Sequence, residues 1–262
     1  MRLVIWIFCL LLMNCASKEN KAYLQSKEVQ LVQPRVIANS VLVDSFVIIK
    51  ASLKVDGTTI FYTSNGDMPN ESSNKYQDPI KVSNPGLYRF RAYHPDWKSS
   101  DIAELKIYKK GKQAESIIWH TQASNKYPGL GEKTVINENK GLLNFTDAQW
   151  VGFDTLASAT VCFKEKTYLK SVDISFLIDT GSWIFPPEEV SVIINGDAES
   201  MKTIQLNKTE SSSEISNKTI KIPLETEVKT LKINVQNIRS IPEWHEGRGT
   251  SAWLFMDEWL FN

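Results

Sequence analysis

Residues 172–176 read Val-Asp-Ile-Ser-Phe, and residues 231–235 read Leu-Lys-Ile-Asn-Val. In both stretches apolar and polar side chains alternate, so an extended chain would turn one set towards a core and the other towards water. Short runs of Val, Ile, Thr and aromatic residues recur along the chain, and Asn, Gly, Pro, Asp and Ser interrupt them about every ten residues. This pattern predicts an all-β protein built from β-sandwiches, without the strand–helix alternation of βαβ units.

The N-terminus is typical of an exported protein. Arg2 is followed by an uninterrupted run of eleven apolar residues, which is the pattern of a secretory signal peptide. The run is shorter than the roughly twenty apolar residues that a membrane-spanning helix needs. Residues 12–15 (Leu-Met-Asn-Cys) resemble a bacterial lipobox, so residues 1–15 are predicted to be a lipoprotein signal peptide with Cys15 as the acylated residue. The alternative is an ordinary cleaved signal followed by an unmodified cysteine.

Polar segments divide the rest of the chain. Residues 16–33 begin with an unpatterned polar stretch and are predicted to be a flexible tether. Residues 109–115 (Lys-Lys-Gly-Lys-Gln-Ala-Glu) are charged and non-periodic, so they are predicted to separate one module at residues 34–109 from another at residues 115–262. The Ser-rich, charged residues 208–218 are interpreted as a solvated loop between strands.

Charge and cysteine content narrow the function classes. The chain has 30 basic and 30 acidic residues, and this balance does not favour the basic face that nucleic-acid binding requires. Beyond the predicted signal and anchor, Cys162 is the only cysteine, so packed cores and not disulfides must stabilise the fold. Because Cys162 lies in an apolar run, we interpret it as a small buried hydrophobe and not as a nucleophile.

The first module carries a recognisable motif. Residues 59–69 read Thr-Ile-Phe-Tyr-Thr-Ser-Asn-Gly-Asp-Met-Pro, and Pro79-Ile80 follow. This series resembles the small β-sandwich domain appended to bacterial chitobiases, β-hexosaminidases and some α-L-fucosidases. That family has Asp where this chain has Asn65, and both residues favour a tight turn with Gly66. The resemblance implies an immunoglobulin-like module over residues 34–109 that acts as a spacer.

Five blocks in the second module resemble the C-terminal domain of certain family-twenty β-hexosaminidases. They are Lys-Tyr-Pro-Gly at 126–129, Gln-Trp-Val-Gly-Phe at 149–153, Phe-Leu-Ile-Asp-Thr-Gly-Ser-Trp-Ile-Phe at 176–185, Ile-Pro-Glu-Trp-His at 241–245 and Ala-Trp-Leu-Phe-Met-Asp-Glu at 252–258. The resemblance implies a galactose-binding-like jelly-roll β-sandwich related to discoidin-like, coagulation-factor type C domains. The enzyme itself is not implied, because its catalytic (β/α)₈ barrel takes roughly 250 residues that this chain has no room for.

The same resemblance raises the question of a metal. Discoidin-like domains often hold a structural calcium ion near an N-terminal loop and a C-terminal acid, which correspond here to Asn137 and Glu258. These two side chains are therefore the predicted ligands of a structural calcium ion, and no catalytic cofactor is expected. The family has Asp where this chain has Asn137, and hard cations prefer charged oxygen ligands.

Two tryptophans lie in turn-rich segments and not in strand-like runs. Trp183 follows Asp-Thr-Gly-Ser, and Trp244 opens the stretch Trp-His-Glu-Gly-Arg-Gly. Flat aromatic faces bind the apolar faces of sugars, while polar neighbours bond the hydroxyl groups. Trp183, Trp244, His245 and Arg248 are therefore predicted to bind a ligand. The alternative is that these loops pack on each other and close one end of the sandwich.

Together these features predict a non-catalytic, lipid-anchored exported protein of a Gram-negative bacterium, at the outer membrane or the cell surface. Its predicted partners are the membrane, through the anchor, and a glycan or glycoconjugate. One alternative is a structural or adaptor module that docks on a surface glycosidase or another protein, and a minor one is a divergent glycoside hydrolase component. A glycan binder should expose Trp183 or Trp244 beside a groove, whereas an adaptor should show a larger flat apolar patch.

Overall fold

The computed structural model describes residues 28–206 and 214–262. Over these ranges the chain forms sixteen β-strands, together with 3-10 helices at Thr134–Ile136 and Thr180–Ser182. The all-β fold class predicted from the sequence is confirmed. The predicted signal peptide with Cys15, most of the predicted tether and part of the predicted polar loop lie outside the described residues. Within the described ranges, no helix has the length and apolar content needed to cross a membrane.

The first module consists of two sheets that share one core. Its strands are β1 (Arg35–Ala38), β2 (Leu42–Val43), β3 (Val47–Ser52), β4 (Thr59–Thr63), β5 (Asn74–Lys75), β6 (Ile80–Val82), β7 (Gly86–Tyr93) and β8 (Ala103–Lys109). One sheet has the order β1-β3-β6 and the other β2-β8-β7-β4-β5, with β2 and β8 parallel and the other pairs antiparallel. In β7 the buried Tyr88, Phe90 and Ala92 alternate with Arg89 and Arg91. This alternation puts one face of the strand in the core.

The second module is one large curled sheet. Its strands are β9 (Ser116–Trp119), β10 (Val151–Phe153), β11 (Ala157–Ile178), β12 (Glu189–Ile194), β13 (Asp197–Gln205), β14 (Ser216–Gln236), β15 (Leu254–Met256) and β16 (Leu260–Phe261). The order is β10-β15-β11-β14-β12-β13, and β9 and β16 also pair with β11. The pairing of β11 with β14 shifts register between Cys162 and Thr167 and between Leu169 and Ser171. Irregularities of this kind bend and twist strands, so the sheet can curl around its own core.

The two alternating stretches lie at the centre of this sheet but pair with other segments. Residues 172–176 pair with residues 218–222, and residues 231–235 pair with residues 157–161. The apolar members of both stretches are fully buried, as the alternation predicts. Ser175 departs from the pattern, because it is buried as well and bonds to a charged group. Position in a strand therefore does not decide the environment of every polar residue here.

The segment between the two modules is ordered against the second one. The backbone N–H of Lys112 donates to the carbonyl of Phe261 at 2.5 Å, and Ala114 is part of the second core. A Cβ at Gly111 would lie 2.7 Å from backbone atoms of Phe261, so only glycine fits at this approach. The predicted non-periodic boundary thus runs along the edge of the sheet, and the independence of the two modules stays a prediction. Cys162, which we expected to be buried, is a free thiol that is only partly buried.

Candidate functional site

Two loops of the second module meet and carry the predicted ligand-binding residues. The first loop follows β11, where Asp179 and Ile184 exchange two backbone hydrogen bonds of 3.0 Å and close a tight turn. Trp183 ends this turn with a left-handed φ of 61°, and its backbone N–H donates to the carbonyl of Thr180 at 3.0 Å. The second loop is tied to the first by the backbone of Trp253, which donates to the carbonyl of Trp183 at 2.8 Å and accepts from Phe185 at 3.0 Å. The backbone therefore holds the two loops side by side.

His245 is at the centre of an aromatic cluster formed by these loops. Its ring centroid lies 5.4 Å from those of Trp183, Trp244 and Phe185, in edge-to-face contacts of 80° to 82°. The Gly247 N–H donates to Nδ1 at 2.9 Å, and Nε2 lies 2.7 Å from the carbonyl of Thr180. Since Nδ1 accepts, the proton is on Nε2, and the neutral imidazole has both nitrogens in use. Only 8% of His245 is exposed, so in this structure it supports the indoles on either side.

The two tryptophans differ in their exposure. Trp183 is half-buried, and a side chain at Gly247 would collide with its indole nitrogen. Trp244 is 42% exposed and packs against His245 and Phe185, with ring centroids 5.4 Å and 6.0 Å away. The structure thus brings Trp183, Trp244 and His245 together and turns Trp244 towards water.

Arg248 completes the predicted set on the outside of the second loop. Its Nε lies 3.9 Å from the carboxylate of Glu243, and the side chains are 63% and 95% exposed. An ion pair this open contributes about 0–1 kcal/mol to stability. The guanidinium can therefore leave Glu243 for an incoming polar ligand at small cost.

Three clefts among the described residues have mainly polar linings, and none of the three is lined by Trp183 or Trp244. A cleft of about 400 Å³ in the first module is lined by Asn65, Asp67 and Asn70, among others. Two adjoining clefts of about 320 Å³ and 390 Å³ on the second module share Gln236 and Arg239. The two clefts on the second module contain no aromatic lining residue. Trp244 thus distinguishes the paired loops from these clefts as a place for ring stacking.

The predicted calcium ligands are neighbours, but the side chain of Asn137 is engaged elsewhere. The Oδ1 of Asn137 accepts from Asn139 N–H and from Gln149 Nε2, both at 3.0 Å, and its Nδ2 donates to Gln149 Oε1 at 2.9 Å. Burial raises the pKa of Glu258 to about 8, although the backbone amides of Glu138 and Asn137 face its carboxyl. No group of three or more His, Cys, Asp or Glu residues that could hold a metal occurs in the described part of the chain. These contacts leave Asn137 no free lone pair for an ion.

Sequence reasoning missed the charged group next to these residues. Lys140, which looks like a loop lysine in the sequence, is 5% exposed and pairs with the fully buried Asp257 at 2.6 Å. The signal that could have revealed it is Asp257 itself, an acid placed in the apolar stretch at 252–258. A carboxylate in a buried strand needs a partner, and the nearest candidates are cations in adjoining loops.

The fold and these sites define a two-module all-β protein with an aromatic loop cluster on its second module. Residues 43–104 match the family model of the chitobiase/beta-hexosaminidase C-terminal domain. This match confirms the resemblance found for the first module, and it covers less than half of the chain. A comparison with curated proteins found no match.

Three solved structures are among those similar to the chain. The module CpGH89CBM32-4 of Clostridium perfringens, in complex with glcNAc-alpha-1,4-galactose, is 14% identical, with a TM-score of 0.32 over 56% of this chain and 88% of that one. A GH31 CBM32-2 module bound to GalNAc is 16% identical, with a TM-score of 0.33 over 56% and 95%. A SusE-like protein is 11% identical, with a TM-score of 0.31 over 87% and 95%. Similarity at this level carries no argument about a ligand.

Proposed function

We propose that the protein is a non-catalytic, lipid-anchored exported protein that binds a glycan through the loops around Trp244. The observation that carries the proposal is the indole of Trp244, which is 42% exposed and packs against the rings of His245 and Phe185. An aromatic face held open to water on a rigid support costs little entropy on binding. A pyranose ring offers the apolar face that fits it.

The other residues of the cluster have distinct roles in this proposal. Arg248 and Glu243, both largely exposed beside Trp244, bond sugar hydroxyls. Trp183 borders the site, and His245 holds both indoles with its two nitrogens bound to backbone groups. A site with one stacking ring and a few hydrogen bonds has a dissociation constant of about 0.1 to 1 mM. Many copies on one cell surface would then provide useful avidity.

Titration with a glycan panel tests this site. GalNAc and GlcNAc-α-1,4-galactose are the first probes, and the chain from residue 20 retains every residue that the structure describes. Trp244→Ala should weaken binding about tenfold or more, because it removes the stacking face. Its unfolding free energy should fall by about 1 kcal/mol or less, since the indole is largely outside the core.

Met201→Ala is the matched control for Trp244→Ala. Met201 is 56% exposed in β13, so its truncation removes a similar exposed apolar group from another part of the module. Equal binding by the two variants and the unmodified chain would contradict the proposed site. A panel in which no glycan binds at millimolar concentration would contradict glycan binding altogether.

The proposed lipid anchor is supported by the N-terminal sequence alone. Two or more acyl chains on Cys15 would make membrane attachment stable. Cys15→Ala should therefore move the protein from the membrane fraction to the soluble fraction of a Gram-negative host, as checked by fractionation and immunoblotting. An unchanged membrane fraction would contradict lipid attachment at this residue.

The adaptor function has its own supporting observation. Leu142 and Leu143 are adjacent and 70% and 55% exposed, which is unusual for two neighbouring leucines. A surface glycosidase that docks on them would lose affinity for a Leu142→Ser, Leu143→Ser double variant. Glycan binding at Trp244 should be unaffected by the same change. Loss of both activities together would indicate that the variant is misfolded, and it would contradict a docking surface that is separate from the glycan site.

A further inference from the structure

A lysine ammonium is enclosed where the loop after Asn137 meets the segment between β15 and β16. Lys140 is 5% exposed and Asp257 is fully buried. The Nζ of Lys140 donates to Asp257 Oδ1 at 2.6 Å, to the carbonyl of Glu258 at 3.1 Å and to the hydroxyl of Ser175. An ammonium has three N–H donors, and here each of them has an oxygen acceptor. The cation is therefore fully coordinated by protein groups.

Both oxygens of the carboxylate that faces the ammonium also accept hydrogen bonds. Asp257 Oδ2 accepts the backbone N–H of Gly141 at 2.9 Å, and Oδ1 also accepts the hydroxyl of Ser175. Burial raises the pKa of Asp257, while the Lys140 charge and these hydrogen bonds act in the opposite direction. A buried charge persists only when it is paired and hydrogen-bonded, and both members of this pair meet that condition.

Calcium does not fit beside this ammonium. Calcium takes six to eight oxygen ligands, as a general rule, and prefers charged ones. Both lone pairs of Asn137 Oδ1 are used, and the backbone N–H groups of Asn137 and Glu138 face the carboxyl of Glu258. The carbonyl of Glu258 already bonds the ammonium. The buried Glu258 Oε2, which has no hydrogen-bond partner in the described structure, is the one atom that an ion would satisfy.

We propose that Lys140 is the built-in cation of the second module and takes the place of the structural calcium ion that the fold resemblance implies. The ammonium joins the 137–141 loop to β11 through Ser175 and to the C-terminal strands through Asp257 and Glu258. The fold therefore needs no metal at this position. This inference does not depend on glycan binding.

The first module covers the same ammonium. The ring of Tyr108, at the end of β8, lies with its centroid 5.3 Å from Lys140 Nζ. Two residues on, Lys110 pairs with Glu138 of the 137–141 loop at 2.7 Å. Desolvation raises the pKa of Tyr108 to about 12, and the charge of Asp257 adds to the effect. Lys140 thus lies at the junction of the two modules and stabilises their contact as well as the second core.

Thermal unfolding of the full-length protein in detergent, followed by circular dichroism, tests the proposal. The unmodified protein should show the same midpoint in millimolar CaCl₂ and in excess EGTA. Lys140→Met keeps the length of the side chain and removes the charge, and it should lower the midpoint by about 10 °C in both buffers. Lys133→Met is the control, because Lys133 lies exposed in the same region and bonds a single backbone carbonyl.

A double variant separates charge pairing from packing. Lys140→Met with Asp257→Leu removes both charges, so it should regain much of the stability lost in Lys140→Met, where Asp257 is left unpaired. Metal analysis of the unmodified protein after dialysis against calcium should find far less than one ion per chain, and it does not require any variant to fold. A midpoint raised by calcium and reversed by EGTA, or a bound ion in equal amount with the chain, would overturn the proposal. So would a Lys140→Met midpoint equal to that of Lys133→Met.

Discussion

Two loop clusters of the second module bury polar groups in different ways. Around His245 the buried group is a neutral imidazole, and both of its nitrogens bond to backbone atoms. Around Lys140 the buried groups are a full ion pair that joins three separate parts of the chain, namely the 137–141 loop, Ser175 in β11 and Asp257 with Glu258. A hydrogen-bonded neutral group can be buried at modest cost, whereas a buried charge is strongly destabilising unless it is paired and hydrogen-bonded. The neutral cluster around His245 is therefore suited to a surface binding site, and the ion pair of Lys140 is suited to holding distant segments of the chain together.

The largest expected effect comes from breaking the ion pair on its acidic side. Asp257→Asn leaves the Lys140 ammonium buried without its counter-charge, which should lower the unfolding free energy by about 3–5 kcal/mol. Urea unfolding of the full-length protein measures this change. Asp154→Asn is the control, because Asp154 is exposed. A loss as small as that of the control would show that the pair carries no charge in the folded state.

The pH dependence of stability should reveal the buried Glu258. Its pKa is about 8 in the folded protein, above its ordinary value of 4.5, so the folded state holds the proton more tightly than the unfolded chain. Its contribution is therefore fully present below pH 4.5 and is lost as the pH rises to about 8. We expect the unmodified protein to lose a few kcal/mol over this range.

Glu258→Gln isolates this group, because glutamine has nearly the same shape and does not titrate. Unfolding midpoints in urea, measured across the same pH range, should vary less for the variant than for the unmodified protein. Parallel curves for the two proteins would mean that Glu258 keeps an ordinary pKa.

The neutral cluster should respond to a change in packing. Gly247→Ala places a methyl group against the indole of Trp183, and overpacking of this kind typically costs about 1–3 kcal/mol. The shift of Trp183 should also disturb the His245 ring and weaken ligand binding at Trp244. Gly181→Ala is a useful comparison, since its added Cβ would meet no atom closer than 3.6 Å. Equal losses in the two variants would show that the indole contact does not cause the cost at Gly247.

The strands of this protein were predictable because alternation is a local property of the chain. The apolar residues of the two stretches at 172–176 and 231–235 are buried as their spacing predicts. Ser175 was assigned to water by the same rule, and the structure buries it. Lys140 and Asp257, 35 residues before it and 82 after it, reach the same point of the sheet. No local pattern records contacts over such distances.

The candidate site was also predictable in part, because its residues lie in recognisable turns but their environments depend on long-range contacts. Turn-rich segments drew attention to Trp183, Trp244, His245 and Arg248, and the structure places the first three in one cluster. Their different environments were not visible in the sequence, because all three are aromatic residues in turns. Only the structure shows that Trp183 is half-buried, that Trp244 is exposed and that both ring nitrogens of His245 are hydrogen-bonded. The exposure of each ring depends on which backbone groups surround it, and these come from the loops at 179–185 and 241–253.

By itself, the sequence determined the all-β class, the family of the first module and the location of the candidate loops. Strand alternation, turn residues and motifs each depend on residues that are close together in the sequence, so these features could be predicted without the folded structure. The tertiary structure alone decided that Trp244 faces water while His245 does not, and that Lys140 occupies the position considered for calcium. Burial and charge pairing depend on residues that are far apart in the chain and meet only after folding. Desolvation destabilises a buried charge, so the charge is tolerated only where the fold places its counter-charge and hydrogen-bond partners around it.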